Sequence, residues 1–198
     1  MEATAFRNDS DPLPEKAISD LDHTHVLHLS GIYELPFGRG KIFLSRAHGI
    51  TRVLADGWQL QTTWQFFTGA PLGFGNALLT GSVKDITLPS GQQSIAEWFN
   101  VAAFDRKSAD QLSWNIQTLS TRLSGVRGPG VDVWNIASLK NFQLNERLRL
   151  QFRAEALNAL NHTSLANPNI SPTSTAFGSI TAANSQPRFI HLALKLTF

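Results

Sequence analysis

Hydrophobic alternation with a period of two, held for about ten residues at a time, is the feature that most restricts what this chain can fold into. Across residues 147–157, Leu148, Leu150, Phe152, Ala154 and Ala156 face one way, while Arg147, Arg149, Gln151, Arg153 and Glu155 face the other. Across 188–198, Ile190, Leu192, Leu194, Leu196 and Phe198 form one row, and His191, Ala193, Lys195 and Thr197 the second. Residues 58–68 set Trp58, Leu60, Thr62, Trp64 and Phe66 against Gln59, Gln61, Thr63 and Gln65. Residues 25–35 set Leu27, Leu29, Tyr33 and Leu35 against His28, Ser30 and Glu34. Residues 131–142 read as a fifth strand whose facing is less regular. A helix would need spacing near 3.6, so the pattern predicts an all-β, antiparallel chain.

Alternation alone also suits a soluble sandwich. Three further features favour a membrane. The strands run about 10–13 residues, where soluble strands have about 5–6 and a tilted membrane strand needs about 9–11. The connections alternate between short turns, at 36–41 and 143–146, and long stretches, at 70–130 and 158–186, as they do in outer-membrane barrels. Aromatic residues gather near strand ends (Tyr33, Phe37, Trp58, Phe66, Phe67, Trp134, Phe142 and Phe198), as interfacial girdles do. With Phe198 at the periplasm, alternating strand directions put both short turns inside and both long loops outside. The expectation is an antiparallel transmembrane β-barrel segment of five to six strands with long extracellular loops, in a bacterial outer membrane, contacting its lipid. Arg149, Gln151, Arg153 and Glu155 would face the hydrated lumen.

Five strands cannot close a barrel, since the smallest have about eight, and lipid does not tolerate open edges. The chain is therefore expected to be a fragment, with a polar loop segment over 1–22 and a barrel portion over 23–198. Residues 1–9 have neither the basic nor the apolar region of a signal peptide, so Met1 is expected not to begin a complete exported protein.

Composition removes several function classes. The net charge is +2 and the Lys and Arg residues are scattered, so no basic face for nucleic acid is expected. There is no Cys, which excludes disulfides, thiolate zinc sites and cysteine nucleophiles. No run of about 18 apolar residues exists to make a membrane-spanning helix.

No chemical motif points to catalysis. On a strand, His23 and His25 would point away from His28, so no metal site is expected. Gly38-Arg39-Gly40-Lys41 lacks the spacing of a phosphate loop, and Gly73-Phe74-Gly75 lacks the third glycine of a dinucleotide motif. Asn161-His162-Thr163 and Asn169-Ile170-Ser171 are chance matches to glycosylation acceptors. Glu155, on the strand face it shares with Arg149 and Arg153, reads as a lumenal charge ladder, not a general acid. The chain is expected to be no enzyme and to hold no cofactor. Residues that would bind a transported substrate cannot be read from the sequence, although the long loops are the natural place for them.

Several short motifs carry a family resemblance. They are Tyr33-Glu34-Leu35-Pro36-Phe37-Gly38, Gly57-Trp58-Gln59-Leu60, Gly69-Ala70-Pro71-Leu72, Trp98-Phe99-Asn100 with Ala103-Phe104, and Arg127-Gly128-Pro129-Gly130. They continue through Leu139-Lys140-Asn141-Phe142, the run from Arg149 to Asn158, Asn161-His162, Phe177-Gly178-Ser179-Ile180-Thr181 and Leu194-Lys195-Leu196-Thr197-Phe198. In this order, over residues 23–198, the chain resembles the C-terminal end of TonB-dependent outer-membrane transporters, most closely the Oar-like group with a carboxypeptidase-regulatory-like domain.

The resemblance implies a barrel of about 22 strands (a porin-sized or larger wall), an internal plug, and contact with TonB through an N-terminal part that this sequence lacks. It also implies that Ile190, Leu192, Leu194, Leu196 and Phe198 form the signal read by the barrel-assembly machinery. Two other readings compete. One is a secreted soluble β-sandwich that binds carbohydrate on Trp58 and Trp64. The other is a small outer-membrane protein whose copies close a barrel together.

Overall fold

The structure is a computed structural model that describes residues 6–89 and 91–198; the first five residues of the expected 1–22 segment lie outside them. In chain order the elements are β1 (Val26–Glu34), helix α1 (Gly49–Ala55), β2 (Trp58–Phe67), β3 (Pro71–Leu72), β4 (Leu123–Arg127), β5 (Val131–Gln143), β6 (Arg149–Leu157) and β7 (Phe189–Thr197). Single 3₁₀ turns occupy Val83–Ile86 and Val101–Ala103.

The five long strands coincide with the five alternating segments. They form one sheet in the order β1-β2-β5-β6-β7. β5 with β6 and β6 with β7 are antiparallel. Backbone bonds from Leu35 to Trp58 and from Thr68 to His25 show that β1 and β2 also run in opposite directions. The all-β antiparallel expectation is met. By its contacts the chain divides into two compact units, a sheet unit (27–66, 132–163 and 185–198) and a loop unit (6–26, 67–131 and 164–184).

Within the sheet unit, register converts alternation into two faces, because directly opposed residues project to the same side. Leu150, Phe152, Ala154 and Ala156 lie opposite Leu196, Leu194, Leu192 and Ile190. Arg149, Gln151, Arg153 and Glu155 lie opposite Thr197, Lys195, Ala193 and His191. On the other side of β6, Phe142, Lys140, Ser138 and Ile136 continue the apolar rows. Stacking of Trp64 on Trp134, with centroids 4.8 Å apart, aligns the even-numbered residues of β2 with the same face. The irregular pattern of β5 now has a cause. Asp132, Ser138 and Lys140 interrupt its apolar side, and Val133, Ala137 and Leu139 interrupt its polar side.

The turn between β5 and β6 is short, as expected. Asn145 Oδ1 accepts the N–H groups of Arg147 and Leu148 at 2.9 and 2.8 Å, closing it without help from elsewhere. The turn at 36–41 is not a complete connection, which corrects the sequence reading. Pro36 and Gly38, with φ of 109°, do turn the chain, and Phe43 N–H bonds back to Pro36 O. The chain then continues through α1 and does not enter β2 until Trp58. Seven helical residues are too few to leave a readable periodicity in the sequence.

The long stretch at 70–130, together with 164–184, packs within the loop unit. Its core is a cluster around Phe74, Phe99, Phe104 and Phe177, joined by Ile86, Leu119, Leu123 and Val126. Phe99 meets Phe74 edge-on at 4.9 Å and Phe177 at 5.2 Å. Such aromatic contacts stabilise by about 0.5–1.5 kcal/mol each beyond the area they bury. β3 and β4 pair beside this cluster. Gly178 has φ of 83°, and a Cβ there would run into Val101, so both its conformation and its contact require glycine.

Candidate functional site

Three surfaces could carry function: the apolar face of the sheet, its polar face, and the loop unit.

The apolar face is banded. At the end nearest the β5–β6 turn it carries Trp58 and Phe142, with Lys140 buried between them. The Lys140 ammonium lies 5.3 Å from the Trp58 ring and 4.9 Å from that of Phe142, and donates to the Asp56 carbonyl. At the other end stand Trp64, Phe66 and Trp134. Trp64 Nε1–H donates to Asp132 Oδ1 at 2.7 Å, and Asp132 Oδ2 lies 3.3 Å from His162 Nδ1. Aliphatic residues fill the space between the bands. Leu192 and Leu194 are 63% and 70% exposed, so this face is bare where a soluble sheet would be covered. Ile190, Leu192, Leu194 and Leu196 all lie on it, and Phe198 follows β7 with its side chain almost wholly exposed.

The polar face is a hydrogen-bonded ladder. Arg149 Nε–H donates to Gln143 Oε1 at 2.9 Å, Gln151 Nε2–H to Asn141 Oδ1 at 2.9 Å, and Arg153 to Glu155 at 2.8 Å. The four residues expected to share a side therefore do so, and their partners come from β5 and β6 themselves. Glu155 is engaged by Arg153 within this ladder. At the far end of this face, Val133, Leu157, Pro187 and Phe189 line a cleft of about 430 Å³ rimmed by Asn135 and Arg188. Asn158 secures its edge. Its backbone N–H donates to Asn135, its amide to the carbonyls of His162 and Gln186, and its Oδ1 accepts from His162.

The loop unit is tied together by polar residues that sequence reasoning passed over. Arg127 donates to Asp22 O, Asp22 Oδ2 and Gly69 O, and its own carbonyl accepts from Trp98 Nε1 at 2.8 Å. Glu15 accepts from both the hydroxyl and the backbone N–H of Thr121, at 2.6 and 3.0 Å. Burial pushes the Glu15 carboxyl up, but these bonds, another from Ser120 and the charge of Arg7 outweigh it and hold the group below its ordinary value. A second cleft, of about 360 Å³, is lined by Lys84, Thr87, Ser120, Arg122 and Ser124. The fragments Gly69-Ala70-Pro71, Trp98-Phe99-Asn100 and Arg127-Gly128, which looked like isolated motifs, meet in this unit. A Cβ on Gly69 would strike Gly128 O, for instance.

The three histidines do not converge. His23 Nδ1 engages Thr68 O, while His25 and His28 lie near and in β1. Among the described residues no group of three His, Cys, Asp or Glu is placed to hold a metal. Trp58 and Trp64 do not form the open sugar platform of the sandwich reading. Trp58 donates to Leu54 O and Trp64 is stacked and bonded as above. Moreover, no second large sheet among the described residues faces the first.

A single sheet of long strands, with one bare apolar face flanked by aromatic bands and one hydrogen-bonded polar face, defines the wall of an outer-membrane type of β-barrel. The chain matches the outer membrane beta barrel domain family over residues 2–191. It belongs to that family, and its place is the bacterial outer membrane. Comparison with curated proteins and with solved structures gave no match.

Proposed function

We propose that the chain forms part of the barrel wall of a TonB-dependent outer-membrane uptake receptor of the Oar-like group. The observation that carries this reading is the ordered set of motifs from Tyr33-Glu34-Leu35-Pro36-Phe37-Gly38 to Leu194-Lys195-Leu196-Thr197-Phe198. The apolar face meets lipid, and Arg149, Gln151, Arg153 and Glu155 line the lumen. The row Ile190, Leu192, Leu194, Leu196 and Phe198 is the segment that the assembly machinery reads. The remaining strands, the plug and the TonB contact belong to the rest of a longer polypeptide. The loop unit faces outward and helps to admit ligand, with the cleft at Lys84 and Arg122 as one polar surface available for contact. The chain performs no catalysis.

An antibody raised against residues of the loop unit tests the reading in outer membranes of the source cells. The expected band is several times heavier than 21.8 kDa, yields plug peptides on mapping, and binds the periplasmic domain of TonB. A band at 21.8 kDa that cross-links into oligomers would instead favour a barrel closed by several copies of this chain.

A further inference from the structure

The segment between Leu35 and Gly57 has a surface that the barrel wall does not use. Ile42 is 81% exposed and Ile50 78%, and Phe43, Leu44, Val53 and Leu54 are each more than half exposed. The same stretch holds Arg39, Lys41, Arg46 and Arg52, with no acidic residue before Asp56. In α1, Ile50, Val53 and Leu54 fall at i, i+3 and i+4, one apolar stripe, while Thr51 and Arg52 lie off it. Lys41 is engaged by Glu34 at 2.8 Å; among the described residues no such ion pair holds Arg39, Arg46 or Arg52.

The position of this segment is fixed by the sheet it belongs to. Trp58 Nε1–H donates to the Leu54 carbonyl at 2.7 Å, and Lys140 donates to the carbonyl of Asp56. Both donors belong to the aromatic band at one end of the apolar face. The C-terminal end of α1 is thus anchored beside the aromatic band of the apolar face, the level at which headgroups begin along a barrel wall.

We propose that this connection lies in the headgroup–acyl boundary of the leaflet on the short-turn side. The stripe Ile50, Val53 and Leu54 enters the acyl region, and Arg39, Arg46 and Arg52 engage the phosphates of anionic phospholipid. Apolar area gives the depth, and the unpaired cations give the preference for negative charge. The inference requires the barrel wall alone and is independent of any uptake function.

The absence of Cys allows a clean test with single labels. Ile50→Cys, Val53→Cys, Leu54→Cys and the off-stripe Thr51→Cys are each labelled with an environment-sensitive fluorophore. The protein, isolated from outer membranes, is reconstituted into phosphatidylcholine vesicles with or without phosphatidylglycerol. The expected result is that stripe labels are quenched by lipid-borne quencher and the Thr51→Cys label by aqueous iodide. Omitting phosphatidylglycerol should shift the stripe labels toward iodide. Replacing Arg46 and Arg52 by Gln should weaken insertion about fivefold per cation, while replacing both by Lys leaves it unchanged. Should the Gln variant fail to assemble, the labels in the parent background decide the matter. Stripe labels that iodide reaches in both lipids would overturn the proposal. So would labels shielded from both quenchers, which would mean that protein covers α1, or lipid quenching indifferent to phosphatidylglycerol.

Discussion

Adjacent residues on β7 should respond oppositely to the same substitution. Leu192 lies on the apolar face opposite Ala154, and His191 on the polar face opposite Glu155. β7 has nine residues, so at ~3.3 Å per residue and a tilt of ~40° it climbs ~23 Å, close to the ~25 Å apolar band of such barrels. Leu192 stands one residue from the centre of the strand, ~3 Å of depth from the midplane. Leu192→Arg therefore takes nearly the full midplane penalty of ~2–4 kcal/mol, which is ~30-fold to ~700-fold in the folding equilibrium. His191→Arg places the same guanidinium beside a carboxylate in hydrated surroundings. It should stay within ~0.5 kcal/mol of the parent, less a small loss from the Phe189 ring 6.5 Å away. Denaturant titration of the reconstituted protein, followed by tryptophan fluorescence, measures both. Equal penalties, or a larger one for His191→Arg, would refute the assignment of the two faces.

Phe99→Ala, at the centre of the loop-unit cluster, should remove ~3–5 kcal/mol from that unit. Limited proteolysis should then cut within 68–130 while the sheet remains protected. Asn158→Ala breaks three side-chain hydrogen bonds at a buried residue with φ of 48°, and an expected loss of ~2–4 kcal/mol should appear as faster amide exchange at Leu157 and Arg188. Glu15 has a folded-state pKa below its unfolded value of 4.5, so its contribution is complete above about pH 4.5 and fades as pH falls through the folded value. Loop-unit stability should therefore drop in acid, and Glu15→Gln should flatten that part of the profile. A profile unchanged by the substitution would count against the Thr121 bonds as its cause.

What was legible in the sequence was whatever one strand can write by itself. The row Leu148 to Ala156 announces its partner rows because burial, or lipid, needs every second residue of a strand. β5 was harder because Lys140 occupies an apolar position. Only the tertiary fact that Trp58, Phe142 and the Asp56 carbonyl receive its charge makes that placement intelligible. The polar ladder at Arg149, Gln151, Arg153 and Glu155 could be read from spacing, but its partners Gln143 and Asn141 could not, since they depend on register. The loop unit was illegible for another reason. Phe74, Phe99, Phe104 and Phe177 follow no period, and their meeting is decided by chain path. The hint that was available lay in the glycines: Gly69, Gly128 and Gly178 each stand where another backbone or side chain approaches too closely for a Cβ.

The aromatic cluster of the loop unit draws Phe74, Phe99 and Phe104 from the chain between β2 and β5, and Phe177 from the chain between β6 and β7. The two exposed segments are consequently one heritable part. Exchanging either one alone with a related barrel would part Phe177 from the core residues it packs among. A chimera that moves 67–131 together with 164–184 should carry its fold along with it, and any new recognition property in this region has to evolve under that joint constraint.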